Sequence, residues 1–252
     1  MRIAAAIFAV LGSLAVAAGA RAESVDILLV LAADVSRSIN DGEFDLQKKG
    51  YAAAMTDPRV LGAIVGGRHH AIAVTYVEWA GDEEQKTVVD WTVIRDEEGA
   101  GEFAAAITAA PRSFLGRTSI SEAVDFAMQR LAAAPPQGDK RIIDISGDGT
   151  SNSGRPVTEA RDDAVAKGVT INGLAIVNEQ ANPGFAYHTH PPGGLPKYYR
   201  ENVIGGPGAF LMVVENFETF ADAIARKLVA EIAGGPAPGS VALLRPTIRR
   251  AD

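Results

Sequence analysis

Val25-Asp26-Ile27-Leu28-Leu29-Val30-Leu31-Ala32, followed almost at once by Asp34-Val35-Ser36-Arg37-Ser38, is the stretch on which the fold turns. Its first part is a near-continuous apolar run rich in Val and Leu. Runs of this kind read as strands buried on both faces, as in a parallel sheet covered by helices. Its second part leaves that strand carrying one carboxylate and two hydroxyls at alternate positions, which in an extended chain can point the same way. Open α/β sheets bind ligands at the carboxyl edge of their strands, so these three side chains are the first candidates for a site.

Downstream, the pattern alternates. Asn40 and Glu43 form a capping-box signal for a helix whose buried face is Phe44, Gln47, Tyr51 and Met55. Ala71 to Trp79 and Thr87 to Ile94 read as a strand pair joined by the acidic turn Gly81-Asp82-Glu83-Glu84, which places one antiparallel strand at a sheet edge. Glu97 to Ala109 and Ser119 to Ala133 read as helices, the second with a capping box at Ser119 and Glu122 and a buried stripe of Ile120, Ala123, Phe126, Ala127 and Leu131. Arg141 to Ser146, Val169 to Val177 and Ala209 to Val214 read as strands, with a helix at Val157 to Ala166 between the first two. Asn216 is placed as the cap of a last helix with Phe217, Phe220, Ile224, Leu228 and Ile232 on its apolar face. Strands alternating with helices define an α/β, doubly wound, mostly parallel sheet with one antiparallel edge strand and helices on both faces.

The ends of the chain differ in character. Arg2, the apolar run from Ile3 to Ala18 and the small-residue pair around Arg21 in Ala20-Arg21-Ala22 have the layout of a signal peptide, residues 1–22, cleaved after Ala22. The expected location is therefore periplasmic or secreted, with no stable membrane insertion after cleavage. Residues 23–233 form the expected single domain, and 234–252, which lack helical or strand period, a flexible C-terminal tail; docking of Val241 to Leu244 is the alternative. Residues 23–252 carry a net charge of −9 with no basic cluster, which disfavours nucleic acid as a partner. The chain has no cysteine, so an oxidising compartment poses no risk of mispairing.

Two further oxygen donors are expected at the same sheet edge. Thr118 stands just before a helix in Gly116-Arg117-Thr118, and Asp148 just after a strand in Ser146-Gly147-Asp148-Gly149. With Asp34, Ser36 and Ser38 they follow the order D-x-S-x-S, then T, then D. In this the chain resembles the von Willebrand factor A (vWA) family and its metal-ion-dependent adhesion site, and within it looks closest to uncharacterised secreted bacterial proteins. The resemblance spans roughly residues 25–233. A lone D-x-S-x-S arises by chance in roughly 5% of chains this long, but the preceding strand and the later Thr and Asp make coincidence far rarer.

The resemblance implies that Ser36 and Ser38 coordinate the ion directly, that Thr118 does so directly or through water, and that Asp34 and Asp148 act mostly through bridging waters. Gly147 departs from the family, which often has Thr or Ser there. Oxygen donors favour Mg²⁺, with Mn²⁺ or Ca²⁺ as alternatives. Neutral groups around the ion leave its charge poorly neutralised, so an open position attracts a carboxylate from a protein or peptide ligand. The expected protein is thus a non-enzymatic, monomeric, adhesion-type binder. A metal-dependent phosphoryl-transfer or other hydrolytic enzyme is the main rival, although Ser36 stands where a haloacid dehalogenase-type enzyme wants its second Asp. A scaffold whose metal is only structural is the other.

Two more features are read as structural and a third as functional. Asp144 lies mid-strand and is expected to pair with a basic residue. His188-Thr189-His190, half of a zinc pattern, is followed by Pro191-Pro192-Gly193-Gly194 and reads as a solvated loop. The connection Asn178 to Gly208 must emerge at the site's edge, and its length and prolines suit a presented binding surface.

Overall fold

The computed structural model describes residues 23–177, 183–215 and 219–234, together with the backbone of 241–244. The expected signal peptide, the Asn216 cap and Phe217 lie outside the described residues. The strands are β1 (Ser24–Asp34), β2 (Ile72–Trp79), β3 (Gln85–Ile94), β4 (Gln137–Gly147), β5 (Thr170–Ile176), β6 (Leu211–Val214) and β7 (Val241–Leu244). The helices are α1 (Asp41–Met55), α2 (Pro58–Val65), α3 (Glu97–Ala109), α4 (Ile120–Ala132), α5 (Val157–Ala166), α6 (Ala186–Thr189), α7 (Leu195–Asn202) and α8 (Phe220–Ala233). The strands form one sheet in the order β3-β2-β1-β4-β5-β6-β7, parallel throughout except for β3.

β1 sits inside this sheet with β2 on one side and β4 on the other. Its side chains alternate between two cores, as the pleat requires. Ile27, Leu29, Leu31 and Ala33 pack with Tyr51 of α1, Ile64 of α2, Phe103 of α3 and Ile224 of α8. Leu28, Val30 and Ala32 pack with Val124 of α4, Ala160 of α5 and Tyr199 of α7. Each fully buried Leu or Ile contributes about 1.5–3 kcal/mol relative to exposure, so β1 alone anchors both layers. The chain winds from β1 towards β2 and then returns to lay β4 on β1's other side. The winding therefore reverses between β1 and β4, and crossovers leave a crevice at that point.

The sequence-predicted elements match closely at α3 and α5, and within a few residues elsewhere. Asn40 and Glu43 form the full reciprocal capping box, at 3.0 and 2.8 Å. At α4 only half of the box forms: the Ser119 hydroxyl accepts from the Glu122 amide at 3.4 Å. β4 starts four residues earlier than Arg141 because Gln137 to Lys140 pair with the start of β1 while their side chains face solvent, where polar residues carry no apolar signal. α2 was not anticipated, although Asp57 caps it through the Arg59 amide at 2.8 Å and Pro58 opens it.

Within the expected tail from 234 onwards, the alternative of a docked segment at Val241–Leu244 has a counterpart in β7. These residues pair in parallel with Leu211–Val214, satisfying backbone groups that an uncovered edge strand would leave open.

A buried ion triad ties α8 to the sheet. Lys227 Nζ lies 2.7 Å from Asp144 Oδ1 on β4 and 2.6 Å from Glu231 Oε1, and all three side chains are buried. Asn172 of β5 donates to Glu231 Oε1 at 2.9 Å. Asp144 thus has the basic partner that its mid-strand position called for.

Candidate metal centre

Asp34 is the last residue of β1 and Asp148 the first after β4, so the crevice between these two strands holds both carboxylates. The Asp34 carboxylate folds back to accept the Ser36 amide at 2.7 Å. The Ser36 and Ser38 hydroxyls stand 3.2 Å apart, and Ser38 donates to Asp148 Oδ1 at 2.6 Å. Thr118 comes from the loop before α4 and shares with Ser38 a small cavity of about 20 Å³. The structure therefore brings Asp34, Ser36, Ser38, Thr118 and Asp148 to one place, and all five are buried.

Backbone bonds stitch the three contributing loops together. The Val35 amide donates to Trp79 O at 2.9 Å and the Arg37 amide to Gly116 O at 3.2 Å. The Asn152 amide donates to Thr118 O at 2.8 Å, while Asn152 Oδ1 accepts from the Thr118 amide at 3.1 Å. The hairpin turn after β2 joins in, because Ala80 O accepts from the Ser119 amide at 2.7 Å.

Arg112 is the strongest clamp, and sequence reasoning missed it. Its guanidinium donates to Val35 O, Ser36 O and Ile39 O at 2.7 to 2.8 Å and to Phe114 O at 3.0 Å. A planar fork of fixed donors suits the curled D-x-S-x-S backbone better than a flexible ammonium could. A lone Arg in a loop carries no local signal of this role. Gln47 of α1 adds a bond of 3.0 Å from its amide to Asp34 O, which fixes the strand's end.

The electrostatics of the site are lopsided. Burial, and then the neighbouring Asp148 charge, push the Asp34 carboxyl up to about 8. Burial likewise raises Asp148 to about 6. Asp34 Oδ2 and Asp148 Oδ2 are both buried without a hydrogen-bond partner. Two acids held together away from water resist ionising unless a cation neutralises them. Hard oxygen donors and unpartnered, buried carboxylate oxygens fit a divalent ion, and the small cavity of about 20 Å³ that Ser38 and Thr118 line opens beside them.

Gly147, the departure from the family pattern, has a local cause. A Cβ there would lie 2.6 Å from the Tyr199 hydroxyl and 2.9 Å from Asp34 Oδ2. Tyr199 is fully buried, so its rigid ring must shift within the core to admit the Cβ. Gly147→Ala is expected to destabilise the fold by about 1–3 kcal/mol through overpacking, read by urea denaturation. Adding Tyr199→Phe should restore part of the loss, and equal losses in the single and double variants would show that the hydroxyl is not the obstacle.

The His188-Thr189-His190 segment differs from its expected place. His188 is half-buried, with Nε2 3.1 Å from Thr118 Oγ1 and Nδ1 3.2 Å from Thr150 Oγ1. Burial lowers its pKa, which favours the neutral ring. His190 is exposed, as a solvated loop residue should be. Within the same connection α7 forms from Leu195 to Asn202, and its buried Tyr199 packs against Gly147 beside the site. Asn178 and the following residues to 182 lie outside the described part.

Among the described residues a second cluster stands at the opposite end of the sheet. Asp26, His69 and Asp139 bring one ligand atom each within 4.8 Å of one another. His69 Nε2 is 3.2 Å from Asp139 Oδ2, and Arg68 is 3.5 Å from the same oxygen. That arginine already supplies a counter-charge, and the group lies away from the crevice.

A sheet wound in this order, with this oxygen cluster where the winding reverses, is the architecture of a vWA-type domain. The solved structures bear out the fold. A von Willebrand factor type A protein from Catenulispora acidiphila matches with a TM-score of 0.57 at 13% identity, over 82% of this chain and 43% of that one. Proximal thread matrix protein 1 from the mussel byssus, with a zinc-occupied MIDAS motif, matches with a TM-score of 0.57 at 17% identity, over 84% and 49%. The pilus adhesin SpaC from Lactobacillus rhamnosus GG matches with a TM-score of 0.57 at 13% identity, over 82% and 30%. The chain spans less than half the length of each of these three. No curated protein matches the sequence. By its sequence the chain belongs to the family described as "Protein of unknown function (DUF1194)", whose model matches residues 24–236.

Proposed function

We propose that this protein is a periplasmic or secreted, non-enzymatic binding protein that holds one divalent ion on Asp34, Ser36, Ser38, Thr118 and Asp148 and uses it to bind a carboxylate of a protein or peptide partner. The observation that carries this reading is the pair of buried, unpartnered carboxylate oxygens beside three hydroxyls in the crevice between β1 and β4. The oxygen donors alone favour Mg²⁺, Mn²⁺ or Ca²⁺. The ion would supply Lewis acidity and an attachment point for the partner's carboxylate. The chain's own residues hold and orient the loops around it.

The rim supports an acidic partner. Arg37 and Arg117 line the mouth of the small cavity and are exposed. Leu115 and Tyr187, two of the large apolar side chains left most exposed, stand on the loop that contributes Thr118 and on α6, which contributes His188. Positive rim, apolar flank and central cation make a surface suited to a protein ligand. The description of SpaC as a pilus adhesin, and of the mussel matrix protein's MIDAS as zinc-occupied, agrees with this use of the fold. No helix among the described residues is long and apolar enough to cross a membrane.

Titration calorimetry tests the site directly. One ion should bind per chain, and Asp34→Ala and Ser36→Ala should each abolish binding while circular dichroism stays native. Unchanged affinity in both variants would sink the assignment. Capture of a partner from the cell envelope should be lost in EDTA and regained with the ion, and assays for phosphatase and peptidase activity should be blank.

A further inference from the structure

His188 lies against the oxygen cluster without belonging to it. The short α6 holds the ring over the crevice, and the backbone locks it there: the Thr150 amide donates to His188 O at 3.1 Å. Gly149 makes the approach possible, because a Cβ at that position would lie 2.1 Å from His188 Nε2. The residue next to Asp148 is therefore kept bare, and the imidazole nitrogen occupies the space. Ser38, Thr118 and His188 line the same cavity of about 20 Å³.

The spacing of the donors is informative. Two ligands that share an ion at about 2.1 Å and at right angles lie about 3.0 Å from each other. The observed separations are 3.2 Å for Ser36 to Ser38, 2.6 Å for Ser38 to Asp148 and 3.1 Å for Thr118 Oγ1 to His188 Nε2. The other ring nitrogen, Nδ1, has its own partner in the Thr150 hydroxyl at 3.2 Å. Metal-ligating histidines are generally held in this way, with the second nitrogen tied to an outer group that sets tautomer and ring orientation. In the tautomer whose Nδ1–H donates to Thr150, Nε2 carries the lone pair, beside Thr118 Oγ1.

We propose that His188 supplies a nitrogen ligand to the ion in this site, so that the protein takes a late first-row ion, Zn²⁺ foremost, in preference to Mg²⁺. This rests on the site reading above and alters the selectivity expected from oxygen donors alone. Imidazole suits Zn²⁺ and Ni²⁺, whereas Mg²⁺ holds to oxygen.

The test uses the full mature chain carrying His69→Ala, which silences the Asp26, His69 and Asp139 group. Zn²⁺ and Mg²⁺ are titrated by calorimetry into this protein and into versions that add His188→Ala, His190→Ala or Ser36→Ala. X-ray absorption of the Zn²⁺-loaded protein reports imidazole scattering independently of any variant at His188. Zn²⁺ should bind more tightly than Mg²⁺. His188→Ala should weaken Zn²⁺ by about tenfold or more, leave Mg²⁺ nearly unchanged and remove the imidazole signal, while His190→Ala changes neither. Zn²⁺ bound without imidazole scattering, or with affinity indifferent to His188→Ala, overturns the proposal. If Ser36→Ala still abolishes both ions in that case, the oxygen site stands without His188. A chain that binds neither ion overturns both readings.

Discussion

Lys227→Met is expected to cost about 3–5 kcal/mol of folding stability, because it strands Asp144 and Glu231 in the core without their cation. The loss should depend on pH in a defined direction. Burial raises the Asp144 carboxyl, and raises Glu231 to about 7. For an acid whose pKa is higher folded than unfolded, the stabilising contribution is fully present below the unfolded value. It is lost as pH rises through the folded value. Removing the lysine pushes both acids further up, so the variant should suffer less near pH 5 than near pH 8. Lys227 is itself raised and stays charged throughout that range in the parent protein. Urea denaturation of both proteins at the two pH values reads the difference. A loss below about 1 kcal/mol, or one that does not change with pH, would mean that the triad is not the electrostatic unit its geometry suggests.

The ion should produce the second large effect. In a chelator, Asp34 and Asp148 must ionise against burial and against each other, with Asp34 raised to about 8 and Asp148 to about 6. By the same sign rule, the ion-free protein loses stability as pH climbs from about 4, the ordinary carboxyl value, through 8. A divalent ion bound to the ionised pair should reverse that trend. At a hundredfold excess over its Kd it should add about 2.7 kcal/mol, or roughly 5–10 °C in Tm for a domain of this size. The gain should be greater at pH 8 than at pH 6, where protons compete for the same oxygens. Comparing melts with and without ion at each pH cancels the contribution of Glu231 and other distant groups. Asp34→Asn should abolish the gain and flatten the ion-free slope. A gain of equal size at both pH values would argue that the ion binds somewhere other than between these two carboxylates.

What the sequence made legible follows from where the information is local. The apolar run of β1 and the D-x-S-x-S after it are contiguous, and their meaning depends on neighbours two residues away. Capping signals at Asn40 and Ser119 are local as well, and they fixed the starts of α1 and α4. α2 also had its signal, in Asp57 and Pro58, but only eight residues of pattern to support it.

Arg112, Tyr199 and His188 are different. Each acts on a loop from a distant part of the chain: Arg112 reaches Val35 across 77 positions and His188 reaches Thr118 across 70. No periodicity or cap reveals such a contact. The same holds for Lys227, since an isolated lysine in an amphipathic helix reads as solvated until the fold puts Asp144 opposite it. The glycines at 147 and 149 were visible as letters, yet the reason for them lies in side chains from α7 and α6.

The site's assembly from remote pieces has a consequence for the order of events in the life of the molecule. Ser38 and Asp148 touch across 110 positions of chain, and nothing short-range draws them together. Closing so long a loop carries an entropic cost that the pairing of β1 with β4 must meet first. The unfolded chain therefore keeps Asp148 away from the D-x-S-x-S run, and an ion that needs both would not guide the chain to its topology. Such an ion would arrive last, as a lock turned after the door has shut, and a molecule that carried it would already have placed β4 beside β1.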